Sequence, residues 1–145
     1  MVHQLKERLW AHILVHNPDL SERLDQDYGI LNYLEDKVNA VLPLAEQMLA
    51  EGRAEHAAIE LSIDILTDDL RPSRFDYILL LLTEDHPSDY ARFKAEGTVR
   101  YHVLQMTGVC KDIFDNLDFK EENMHSNLVY QSILIGMQGY LTTHR

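Results

Sequence analysis

The sequence has one cysteine, Cys110. That excludes an intramolecular disulfide and any Cys-rich zinc site, and it fits a reducing compartment. Long apolar runs are scarce as well: Ile78–Leu82 is five residues, where a membrane helix needs about 20. The opening "MVHQLKERLWAHILVH" scatters charges through its apolar positions, which does not match a secretory leader. A cytoplasmic protein without a membrane segment is expected. Basic residues are in deficit, 13 Lys and Arg against 24 Asp and Glu, for a net charge of −11. Such a surface repels phosphate backbones, so direct nucleic-acid binding is not expected. Phosphate-cradling glycine loops and the G-x-S-x-G hydrolase motif are absent too.

What is present is helical periodicity. With 46% apolar and 26% charged residues over 145 positions, the composition is that of a folded chain of one domain, residues 1–145. No alternating segment or Asn-Gly hairpin interrupts the pattern. The expected fold is all-α, a compact single-domain bundle of five to seven helices. Leu5, Leu9 and Ile13 set the first helix, stopped by Asn17-Pro18. Leu31, Leu34, Val38, Leu42, Ala45 and Leu49 set the next, which ends at Gly52 and carries Pro43, with a kink expected near residue 40. In the third, Ala57, Ala58, Leu61 and Ile65 join Ile59, Ile63 and Leu66 on the apolar side. Glu60, Asp64 and Asp68 recur every four residues and should face solvent.

Ser73 is placed to cap a helix whose third residue, Asp76, sits at the positive helix end. Phe75, Ile78, Leu79 and Leu82 form one stripe of that helix, and Tyr77, Leu80 and Leu81 another. A buried central helix over 73–86 is expected. Pro87-Ser88 then starts a short helix ended by Gly97. A longer segment follows, with Val99, Val103, Met106, Cys110, Ile113 and Phe114 inward. The last helix turns Val129, Ile133, Met137 and Tyr140 inward. Its Gly136 and Gly139 are costly in a helix, which points to close approach of a neighbour.

Reactive constellations are thin. His12 and His16 stand four apart but lack the Glu of a metallopeptidase helix. Glu122 and His125 straddle a loop and a helix start, so a di-iron carboxylate site is not expected. Asp115, Asp118, Glu121 and Glu122 lack the glycine and ligand alternation of a calcium loop. Cys110 lies in an apolar stripe beside Asp112, a setting that raises a thiol pKa. Asp85 and His86 are adjacent and seldom face one another on a helix. No metal site, cofactor or catalytic residue is expected. Tyr77, Tyr101, Tyr130 and Tyr140 fit core positions with one satisfied hydroxyl each.

Two stretches carry a family resemblance. Ser73-Arg74-Phe75-Asp76 opens an apolar helix, and Cys110, Ile113 and Phe114 precede an acid-rich loop with Phe119, then Val129-Tyr130-Gln131 and a Gly-containing helix. Together with "HNPDL" and the helix-glycine-helix around Gly52, they resemble a family of short helical proteins of unknown function from Bacteroides-type bacteria. The chain departs from that family's Tyr-Thr-Glu-Leu-Thr-Gly run, having Tyr130-Gln131-Ser132-Ile133-Leu134-Ile135-Gly136 instead. The resemblance implies a helical fold and a cytoplasmic setting. It brings no established activity, although family members resemble passengers of mobile elements.

Three functional expectations follow. The first is a non-catalytic protein-protein interaction module, with a protein partner or self-association as a homodimer. The second is an acidic decoy for a basic DNA-binding protein, using Glu60, Asp64 and Asp68 as phosphate substitutes. The third is a small ligand binder or enzyme with a site near His86, Tyr101 and His102.

Overall fold

The computed structural model describes residues 1–26 and 29–145. The helices are α1 (Val2–His16), α2 (Pro18–Gln26), α3 (Ile30–Ala50), α4 (Glu55–Thr67), α5 (Arg74–Asp85), α6 (Pro87–Glu96), α7 (Val99–Val109), α8 (Lys111–Asn116) and α9 (Asn127–Thr143), with a 3₁₀ turn at Asp68–Leu70. The fold is all-α: no strand occurs among the described residues. There are nine helices among them where five to seven were expected. Pro18 stops α1 but also starts α2, because a proline lacking its N–H suits the first helical position. The long segment after Gly97 divides at Cys110, whose φ of −88° and ψ of 3° leave the helical region. One domain was expected from the length; contacts divide the chain into two compact units, Met1–Arg71 and Pro72–Arg145.

In the first unit α1 packs on α2, α3 and α4, and α3 packs on α4. Leu5, Leu9 and Ile13 of α1 meet Leu34, Val38 and Val41 of α3 and Ile59, Ile63 and Leu66 of α4 in one core. The buried stripe of α3 is Leu34, Val38, Val41, Ala45 and Met48, rotated from the expected one, and Leu31 is 81% exposed. Pro43 stays inside an unbroken α3 because it lies on the solvent side, where water can satisfy the carbonyl it frees. Two buried hydroxyls return to their own helix: Ser62 Oγ donates to the Ala58 carbonyl at 2.7 Å and Thr67 Oγ1 to that of Ile63 at 2.8 Å. Asn17 closes the α1–α2 corner, its side-chain amide donating to the Leu70 carbonyl at 3.1 Å.

In the second unit α5 packs on α6 and α7, α7 on α9, and α8 on α9. Ser73 caps α5 as expected, its Oγ accepting from the Asp76 N–H at 3.0 Å. Helix α5 buries Phe75, Tyr77, Ile78, Leu81 and Leu82, but Leu80 is 47% exposed. It is therefore amphipathic, with an open face where an all-round buried strut was expected. Gly97 ends α6 in the left-handed conformation, φ +71°. Ser126 caps α9 by accepting the Val129 N–H at 3.3 Å.

Gly136 lets α9 approach the α7–α8 corner. A Cβ at this position would stand 2.8 Å from Cys110 Sγ and 3.0 Å from Ile113 Cδ1, so a methyl group there fits only if these side chains give way. Gly139, given the same role from sequence, has open space around it. Gly136→Ala is therefore expected to cost about 1–3 kcal/mol by overpacking, Gly139→Ala none of it, and Cys110→Ala should relieve the Gly136→Ala loss. Urea unfolding of the three variants and the double variant measures this.

Candidate functional site

The acidic row of α4 stands in solvent as its spacing dictates, with Glu60, Asp64 and Asp68 all exposed. It is not a bare row. Arg8 of α1 donates to both Glu60 oxygens, at 2.8 and 3.1 Å, and this hydrogen-bonded guanidinium holds the Glu60 carboxyl below its ordinary pKa. Arg71 lies over the C-terminal end of α4, where a cation suits the negative helix end. Its Nη2 reaches the Asp64 carbonyl at 3.2 Å and Asp68 Oδ1 at 3.5 Å. Two of the three acids thus share their charge with arginines of the same unit.

Beside this row the helix is apolar and open. Leu61 is 39% and Ile65 50% exposed, and Leu44 of α3 is 41% exposed. Leu61 and Ile65 were expected in the core; α4 instead turns Ala58, Ile59, Ile63 and Leu66 inward. Leu44 and Ile65 line a cleft of about 210 Å³ between α3 and α4, together with Lys37, Ala40, Val41 and Leu66. Lys37 Nζ donates to Asp69 Oδ2 at 2.7 Å, and that bond raises the lysine pKa. The result is an apolar centre edged by charges of both signs, with acids in excess along α4.

Of His86, Tyr101 and His102, the last two are in direct ring contact. The His102 ring stacks on Phe93, centroids 3.8 Å apart, and its Nδ1 shares a 2.7 Å hydrogen bond with the Tyr140 hydroxyl. Burial, then the nearby His144, push its pKa down. Tyr101 touches His102 edge-on and is largely exposed. Nδ1 and one ring face are thus held by Tyr140 and Phe93. His86 lies 3.9 Å from Asp89. Asp89 is buried, bound by Arg145 at 2.9 and 3.3 Å and by Arg92 at 3.3 Å. Sequence reading missed this carboxylate because Arg145 lies 56 residues away.

The remaining candidates are structural in their contacts. Cys110 is buried, and burial pushes its thiol up to about 11. His12 and His16 have ring centroids 4.8 Å apart, but no group of three or more metal-ligating side chains occurs among the described residues. Asp115 binds Arg74 and Lys111, each at 2.8 Å, and Asp118 binds Lys120 at 3.2 Å. No helix among the described residues is long and apolar enough to cross a membrane. Comparison with protein-family models, curated proteins and solved structures finds no match in any of the three.

Two chemical tests follow from these environments. A thiol reagent is expected to label Cys110 slowly in the native protein and rapidly in urea, since the thiolate is the nucleophile and a buried thiol at about 11 supplies almost none. Equal rates would contradict the packing. Asp89 has a lowered folded pKa, first through its Arg145 hydrogen bond. Its stabilising contribution is therefore present above the unfolded value of about 3.9 and lost as pH falls through the folded one. Asp89→Asn should lower stability at neutral pH and flatten the acid limb of a urea-unfolding series, and an unchanged limb would contradict the assignment.

Proposed function

We propose that the chain is a non-catalytic, cytoplasmic interaction module whose partner protein docks on the α3–α4 face of the first unit. The observation that carries this reading is the α3–α4 cleft with exposed Leu44 and Ile65 in its lining, Leu61 exposed one turn earlier on α4, and the exposed acids Asp64 and Asp68 on the same helix end. An apolar centre within a charged margin is the anatomy of a protein interface, and a groove between two helices suits an amphipathic helix. Residues 1–71 carry 14 acids against six bases, so a partner helix with basic flanks is favoured over a second copy of this chain. The resemblance to helical proteins without known activity fits a non-catalytic role.

The acidic-decoy reading rests on the net charge of −11 and the exposed row on α4. The pairing of Glu60 with Arg8 and of Asp68 with Arg71 counts against it, because neutralised carboxylates imitate phosphates poorly. A tagged pull-down from nuclease-treated native cytoplasm, comparing the parent with a Leu61→Asp/Ile65→Asp variant, separates the two. A partner that the parent retains through a high-salt wash and the variant loses is the expected result. A partner held equally by both and released by salt would overturn the reading in favour of the decoy.

A further inference from the structure

A second cleft, of about 280 Å³, lies within the second unit, where the C-terminal half of α5 faces the approach to α9. Its lining is Tyr77 and Tyr130, the apolar Leu80, Leu81 and Met124, and the polar Glu84, His125 and Asn127. Asp85 stands next to it and accepts the Tyr130 hydroxyl at 2.6 Å, which fixes that ring. No lysine or arginine lines the cleft. We propose that this cleft binds a small organic cation, an alkylated ammonium group, between Tyr77 and Tyr130 with Glu84 and Asp85 supplying the negative charge.

The sign of the field follows from what borders the cleft. The negative C-terminal end of α5 and the positive N-terminal end of α9 carry roughly half a charge each and offset one another. The carboxylates of Glu84 and Asp85 then stand against one lining side chain able to carry positive charge, the His125 imidazole, so that negative charge is in excess even when that ring is protonated. Both phenols feel it: Asp85 raises the pKa of Tyr77 after burial does, and Tyr130 is raised first by its Asp85 hydrogen bond and further by Glu84. The lining selects among cations. A bare ammonium is strongly hydrated and would exchange water for leucine and methionine, whereas methyl groups on nitrogen spread the charge and pack against them. Aromatic rings attract such groups through their quadrupoles. The volume, just below the roughly 300–1,000 Å³ of drug-sized pockets, limits the ligand to a head group of a few heavy atoms.

Isothermal titration of the full chain with choline, trimethyllysine and dimethylbutanol, the neutral isostere of choline, tests the assignment. At least one cation is expected to bind about tenfold more tightly than the isostere, with Glu84→Gln and Tyr130→Ala each removing most of that preference. Both substitutions are at partly or fully exposed positions, outside the buried core. Tighter binding of choline would identify a free small molecule as the source of the ammonium group, and tighter binding of trimethyllysine a modified protein side chain. Equal binding of cations and isostere, or no binding of either, would overturn the proposal.

Discussion

Every helix of this chain depends on a neighbour for its stability. Isolated helices under about 12–15 residues are marginal in water, and α2, α6, α7 and α8 have nine, ten, eleven and six residues. Each holds its form by burying one apolar stripe. The length of chain available to cover that stripe therefore determines what remains exposed. With the contacts gathered into two compact units of about seventy residues, each core is small. Apolar side chains at the edge of a stripe, such as Leu61, Ile65 and Leu80, remain in solvent. Both proposed binding faces arise at such edges.

The ionisable groups with interior contacts are committed to holding helices together. Asp89 gathers Arg92 and Arg145, His102 is stacked and hydrogen-bonded between Phe93 and Tyr140, and Cys110 fills the space that Gly136 leaves. A lowered carboxyl pKa, a lowered imidazole pKa and a raised thiol pKa could be read as signs of catalysis. Here each has a packing or pairing cause, and Arg92 acts on both Asp89 and His102.

Much of this was legible in the sequence. Periodicity gave the inward faces of α1 and α9 through Leu5, Leu9 and Ile13 and through Val129, Ile133 and Met137, and Ser73 and Gly97 marked their helix ends by cap chemistry. The misses share a physical origin. Periodicity reports which side of a helix is apolar, not how wide a strip its neighbours cover, so Leu31, Leu61 and Ile65 were assigned inward. Asn17-Pro18 was read as a stop when it is also a start, and the break at Cys110 has only Gly108, two residues earlier, as a local signal. The acidic row was plain from its spacing, but Arg8 lies 52 residues from Glu60 and Tyr130 lies 45 from Asp85, separations that only the folded chain brings together.

The central claim is that recognition occurs on the α3–α4 face. Backbone amide chemical shifts of the isotope-labelled full chain, recorded with and without the partner protein recovered from cytoplasm, test it most directly. Perturbations centred on Lys37–Leu44 and Leu61–Ile65 are the expected result. Perturbations confined to the second unit, or spread along the charged surface without a centre, would contradict it.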